Sequence, residues 1–328
     1  MTKLQFRPGY QHICQLSADK GIIFYSTADI LVLYTIISVK CIKLGIRPVA
    51  LTIMMNHFHK ETPFKTEKEM ESLMNGICST FARAYNAHYR LSGSLFKKGF
   101  NRSSKNGDKK VRDTFIYIGN NGKEKIPSIR AEDYKWNFIK YLESDHPFSE
   151  RIDYNSASPS LLQLLSTVLA RRSKLKPLRY DFFDKEFYSL TEKERLQLTD
   201  FLVIAYFCLD KEKILSLYGD YDSLCTAMNA VTGSEHDFSD DWSKENYLHY
   251  YQMIRICKRL GYDVTKYRLR KDNAPSPSSF GKTRKDNAFP ASTFRHIQDK
   301  EFNRLVAAIR TEVNVTDHEL AKFFHLLD

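Results

Sequence analysis

The chain has 328 residues, 42% of them hydrophobic and 13% aromatic, which is material for packed cores in roughly two domains and excludes a disordered or fibrous class. Fifty Lys and Arg stand against 39 Asp and Glu, and the resulting charge of +11 fits a polyanionic partner, either nucleic acid or an anionic membrane surface. A charge kept only for solubility would be spread evenly, whereas residues 1–145 hold 23 Lys and Arg against 13 Asp and Glu and the second half is nearly neutral.

Cysteines at 14, 41, 78, 208, 225 and 257 form no CxxC pair and no cluster, which excludes a zinc knuckle and a disulfide scaffold; they read as reduced core residues. Met1 to Arg7 lacks the apolar run of a signal peptide, and the most apolar stretch, Ala28 to Val39, is too short to span a bilayer. The expected location is the cytoplasm, close to the nucleoid if the partner is DNA.

In chain order, Tyr10 to Leu16 alternates like a strand and turns at Asp19-Lys20-Gly21. A helix follows, capped by Ser26, Thr27 or Asp29, with Ile30, Leu33, Tyr34, Ile37 and Cys41 on one face and Gly45 as a left-handed stop. Val49 to Met54 reads as the next strand, Asn56 as a turn, and His57-Phe58-His59 as the start of a return strand. Thr66 and Glu69 form a capping box before a stripe of Met70, Leu73, Met74, Ile77, Phe81 and Ala84. Lys110 to Asn121 is helical by its spacing, with Gly122 as the stop. This order is the split βαβ pattern, so the fold class expected is α+β: a ferredoxin-like antiparallel sheet with helices on one face, followed by an all-α C-terminal domain.

Three constellations carry chemistry. In a strand His57 and His59 project together while Phe58 turns into the core, which gives two imidazoles for a divalent ion or, equally, two solvated rings. From Arg83 to Arg112 the cations Arg83, Arg90, Lys97, Lys98, Arg102, Lys105, Lys109 and Lys110, closed by Arg112 itself, face one acid, Asp108, with Tyr85, Tyr89, Phe96 and Phe100 interleaved. That mixture suits a phosphate backbone with bases stacked on rings; the alternative is a solvated charged hairpin. Tyr117 and Asn121 lie one helical turn apart on one face, where a packing tyrosine and a helix-ending asparagine are the plainer reading.

Taken in order, Asn56-His57-Phe58-His59, Tyr85-Asn86, the basic stretch Leu95 to Arg102, Tyr117-Ile118-Gly119-Asn120-Asn121 and the trailing Tyr134-Lys135-Trp136 resemble the single-tyrosine HUH transposases, and within them the REP-associated tyrosine transposases. The resemblance covers residues 8 to 142. It departs from the family at Met55 before the turn asparagine, at Gly122 after the tyrosine motif where a proline is usual, and at Asn137-Phe138 where two serines often stand. The resemblance implies an HUH endonuclease core in which Tyr117 is the nucleophile, His57, His59 and Asn121 hold Mg²⁺ or Mn²⁺, and single-stranded or hairpin DNA is cleaved and rejoined through a 5′-phosphotyrosine, with a homodimer as one allowed state. A binding protein of another class, a domesticated and catalytically silent reader of a DNA sequence or hairpin, is the competing reading.

The second half reads as helical over Ser160 to Leu169, Glu192 to Phe207, Lys211 to Tyr218, Lys244 to Leu260 and Asp299 to Glu312. Residues 270–280 recur at 284–294 as a direct repeat rich in Pro, Ser and cations, which reads as a linker. The expected organisation is a catalytic domain at 1–148, an α-helical accessory domain at 149–268, the repeat linker at 269–295 and C-terminal helices at 296–328, where Val313 to Leu327 is a packing helix or half of a helix-turn-helix.

Overall fold

Four strands pair antiparallel into one sheet in the order β2-β3-β1-β4: β1 Gly9–Leu16, β2 Ala50–Ile53, β3 His57–Phe64 and β4 Asn101–Lys105. The computed structural model describes residues 6–230 apart from 19, 126–128 and 184, and of the remainder 253, 256, 257, 259, 260, 300–313, 315, 320 and 323. The repeat at 270–294, most of Lys244 to Leu260 and most of Val313 to Leu327 lie outside the described residues.

The strand order is that of a split βαβ sheet. The register sets what meets what: Cys14 faces His59 and His12 faces Glu61 across β1 and β3, while Thr52 of β2 faces His59 from the other side. With a side-chain period of two, His12, Thr52, His57, His59 and Glu61 share one face, and Ile13, Ile53, Phe58 and Lys60 share the other.

Helices α1 (Thr27–Lys43) and α2 (Glu67–Tyr89) cover the Phe58 face. From α1, Cys41 Sγ lies 4.0 Å from Lys60 Nζ, and from α2, Cys78 Sγ donates to Gln15 Oε1 at 3.6 Å. Ser26 and Asp29 close a capping box at the start of α1, and Gly45 past its end takes φ +64°, the left-handed position its sequence predicts. Asp29 is more than a cap: its Oδ1 accepts the hydroxyls of Tyr89 at 2.7 Å and Tyr180 at 2.8 Å, which ties α2 and a later segment to α1.

Helix α3 (Asp108–Lys125) lies on the opposite, histidine face, where Thr52 Oγ1 donates to the Ile118 carbonyl at 2.8 Å. The expectation of helices on one face therefore holds for α1 and α2 only. Gly122 does not stop α3. A Cβ there would sit 2.1 Å from Cγ of Tyr134, so the glycine is needed for the close approach of a buried ring rather than for a left-handed cap.

Downstream come α4 (Pro159–Ser173), α5 (Lys185–Ser189), α6 (Glu192–Ala205), α7 (Lys211–Tyr218) and α8 (Tyr221–Ala230), and later a helix at Lys300–Glu312. Helices α4 to α8 share one core with the sheet region: Tyr34 of α1 donates to the Val203 carbonyl at 2.9 Å and Tyr141 to Asp200 Oδ1 at 2.6 Å. This explains the apolar run Ala28 to Val39, which is buried on nearly every side of α1. Among the described residues no helix is long and apolar enough to cross a membrane.

Candidate active site

The turn before β3 is pinned before any chemistry is placed on it. Asn56 donates through Nδ2 to the Lys20 carbonyl at 2.7 Å, its own carbonyl accepts from Ser17 N–H at 2.8 Å, and Met54 N–H closes the turn onto the His57 carbonyl at 2.8 Å. Oδ1 of Asn56 is 2.6 Å from Nδ1 of His57, which fixes that ring. The second ring is fixed across the sheet, where Nδ1 of His59 lies 3.0 Å from Nε2 of His12 and the rings stack at 5.2 Å between centroids. Each imidazole thus has its Nδ1 engaged by an outer group, the arrangement that orients metal-binding histidines.

All three imidazoles are buried. Burial, reinforced by the neighbouring His57 and His12, holds His59 well below the ordinary histidine value, so it is neutral at ordinary pH, the form in which imidazole binds metal ions.

Helix α3 brings Tyr117 to the same place. Its half-buried ring meets His12 edge-on at 5.6 Å and 70°, and His59 at 5.8 Å and 87°. One turn later Asn121 is buried and gives its Nδ2 to the carbonyls of Tyr117 at 2.9 Å and Ile118 at 3.3 Å, which leaves Oδ1 as the acceptor of that amide. Tyr134 and Asn137 clamp this helix from beneath. Tyr134 donates to the Ile53 carbonyl at 2.9 Å while its ring packs at Gly122, and Asn137 Nδ2 donates to the Gly119 carbonyl at 3.2 Å.

The eight cations singled out from the sequence are not one surface. Lys97, Lys98, Lys109 and Lys110 are exposed, and Lys105 stands at a register position on the histidine face, through Tyr10, while Arg102 stands on the other face. Arg102 is tied to Glu67 at 2.6 Å and lies over the Phe6 ring, and Arg83 and Arg90 belong to α2 and its C-terminal cap. The charged stretch is also not a free hairpin. One part of it, β4, pairs with β1, and Lys97 N–H donates to the Leu16 carbonyl at 2.9 Å. Of the interleaved aromatics, Tyr85, Tyr89 and Phe96 are buried and only Phe100 is half-exposed, because the first two continue the inner stripe of α2 at steps of four. Those three rings pack the core and do not offer faces to bases.

Sequence patterns missed His12 and Glu61. Both stand at alternating strand positions that look unremarkable in their own strands, and only the β1–β3 register joins them to His59. Glu61 is wholly buried, and among the described residues neither carboxyl oxygen has a hydrogen-bond partner. Burial pushes its carboxyl up to about 9, with Lys105 pulling the other way, so it is protonated at neutral pH.

This group gives stability a pH dependence. Above the unfolded value of 4.5 the unfolded chain has released a proton that the folded protein keeps until about 9, so raising the pH in that window favours unfolding. With EDTA present, the unfolding free energy is expected to fall by up to ~1.4 kcal/mol per pH unit between those limits. Glu61→Gln should flatten the curve and be the more stable protein at pH 8. Urea titrations from pH 5 to 8.5 check this, and equal slopes in the two proteins would refute it.

No family model matches the sequence, and no curated protein matches it. Among solved structures the chain is similar to that of a REP-associated tyrosine transposase bound to a REP hairpin, at 15% identity over 42% of this chain and 82% of that one, with a TM-score of 0.35. That is a weak likeness at the level of fold.

Proposed function

We propose that this protein is a metal-assisted, single-tyrosine transposase or nicking endonuclease that cuts and rejoins single-stranded DNA. The observation that carries the reading is the convergence of Tyr117 from α3 with His59 and His12 from two strands of one sheet face. Among the described residues no group of three or more His, Cys, Asp and Glu side chains is placed to hold a metal ion, and the ligand set proposed here adds the Asn121 amide oxygen to His57 and His59. His57 and His59 with engaged Nδ1 atoms, together with that oxygen, form a mixed nitrogen and oxygen set that suits Mn²⁺ somewhat better than Mg²⁺. The ion would supply charge neutralisation at a non-bridging phosphate oxygen.

The phenol oxygen of Tyr117 forms a bond to phosphorus as the bond from phosphorus to the 3′-oxygen breaks. A free phenol titrates near ~10, so its proton has to leave during the attack, through water, and the departing 3′-oxygen takes one up to become a hydroxyl. The 5′-phosphotyrosine conserves the energy of the link. A second 3′-hydroxyl reverses the step and joins the strands, with no nucleotide hydrolysed. The half-buried position of Tyr117 between two rings limits its rotamers, which favours an aligned attack. Single-stranded or hairpin DNA is the proposed partner, met by Lys97, Lys98, Lys105, Lys109 and Lys110, and the competing silent DNA-binding protein would share that surface.

Incubation with labelled, hairpin-bearing single-stranded DNA and Mn²⁺ tests the reading, since an active protein gives a complex that survives denaturant and a silent binder gives none. The metal part has its own test. His57→Ala and His59→Ala are each expected to lower Mn²⁺ affinity by at least ~10-fold in calorimetry and to stop adduct formation. Unchanged Mn²⁺ binding in both variants would remove the histidines from the ligand set.

A further inference from the structure

A second constellation lies on the other side of the molecule, among residues packed against α1 and α2. The segment from Lys176 to Tyr180 runs across these helices as a strap held at three points. Tyr206 donates to the Lys176 carbonyl at 2.7 Å, Leu178 N–H donates to Thr35 Oγ1 at 3.1 Å, and Tyr180 donates to Asp29 at 2.8 Å. Between strap and α2 is a groove of about 840 Å³. Its floor is apolar, with Ile36, Ala84, Ala87 and Leu178, and its walls carry Arg83 from α2, Arg171 from α4, and Lys176 and Arg179 from the strap, against one carboxylate, Asp181. Past Arg171 and Lys176 it continues into a shallower depression of about 300 Å³ that adds Lys174.

We propose that this groove is a second nucleic-acid site, which takes a single strand on the face of the sheet opposite the histidines. Four cations and one acid on a preformed channel match a chain of phosphates, and none of Arg83, Lys176 and Arg179 is in an ion pair with another described residue. The wall also offers a ring. His88 is exposed, lines the groove, and lies flat on the buried Tyr180 ring at 4.1 Å and 8°, a backed platform for a base. Arg171 has a different task, since its Nε and Nη2 donate to the Pro177 carbonyl at 3.1 and 2.7 Å and hold the strap in place. One wall of the site belongs to the helical second half, which gives that half a role in gripping DNA while the cut is made on the far face. The proposal rests on the reading of the chain as a DNA-handling protein but not on the chemistry of Tyr117.

The test measures binding of the full chain to a labelled 20-nucleotide oligodeoxythymidine across a salt series. It compares wild type, Arg83→Ala/Lys176→Ala/Arg179→Ala, Lys97→Ala/Lys98→Ala and Tyr117→Phe. All three groove residues are exposed, so the triple variant should fold. Each lost phosphate contact lowers the slope of log K against log salt by ~0.7 for a single strand, so the triple variant should lose about 2 from the slope and at least ~10-fold in affinity at low salt. Tyr117→Phe, impaired only in adduct formation, should bind as wild type does, which separates failure of the cleavage reading from failure of this one. Wild-type affinity and slope in the triple variant would overturn the groove. So would binding of wild type to phosphatidylserine vesicles in preference to the oligonucleotide, if the triple variant lost it.

Discussion

Tyr117→Phe is expected to abolish the denaturant-resistant DNA complex while leaving affinity for single-stranded DNA unchanged. The reason for so large and selective an effect is geometric. The contacts of Tyr117 with His12 and His59 are edge contacts of the ring, at 5.6 and 5.8 Å, and a phenylalanine ring keeps them. Helix α3 stays anchored through Thr52 and Asn137, which donate to the Ile118 and Gly119 carbonyls and not to the hydroxyl. What disappears is the oxygen that would bond to phosphorus, and no general acid or base elsewhere replaces a missing nucleophile. Adduct yield should therefore drop by more than ~10³-fold, to the detection limit of a denaturing gel. A Phe variant that still forms the adduct at normal yield would sink the assignment of Tyr117. A wild type that binds the strand but never forms the adduct would leave the silent binder as the better description.

Local periodicity made the order of elements legible. Alternation from Tyr10 to Leu16, the Ser26 and Asp29 cap, the Asn56 turn and the stripe from Met70 to Phe81 each arise from neighbours within one turn or one strand, and each appears where the pattern puts it. The candidate site was legible in half. His57 with His59, and Tyr117 with Asn121, are short-range pairs, whereas His12 reaches His59 only through a pairing 47 residues apart in sequence, which no single-strand pattern encodes. The charge run hid the rest: Tyr85 and Tyr89 continue the α2 core stripe, but the cations interleaved with them gave the stretch the look of a binding surface. The basic groove was illegible for the same reason as His12, since Arg83 meets Arg171 and Arg179 only after α4 and the strap have packed onto the sheet domain.

Gly122 is the position where helix propensity and tertiary packing give opposite signs. Propensity alone makes Gly122→Ala stabilising by about 1 kcal/mol, because alanine is the better residue inside a helix such as α3. Packing decides otherwise. The new Cβ would lie 2.1, 2.4 and 2.6 Å from Cγ, Cδ1 and Cβ of Tyr134, all atoms near the root of that side chain. The ring cannot swing clear, since its hydroxyl is bonded to the Ile53 carbonyl at 2.9 Å and the residue is buried. At Gly119 on the same helix a Cβ meets chiefly the terminal methyl of Met228, at 2.6 Å, which is the far end of a flexible chain, so Gly119→Ala should be the milder change. Overpacking of a fixed ring costs typically 1–3 kcal/mol and more where backbone must move, so Gly122→Ala should be destabilised by roughly 2 kcal/mol net in urea unfolding. A shift of α3 off the sheet relieves the strain, and that shift carries Tyr117 away from His59. Adduct yield should fall along with stability. Adding Tyr134→Gly removes all three obstructing atoms, so the double variant should show a coupling of at least ~1 kcal/mol relative to the sum of the singles. A Gly122→Ala protein more stable than wild type would mean that α3 does not sit where Tyr134 holds it, and the contact between Tyr117 and His59 would fall with it.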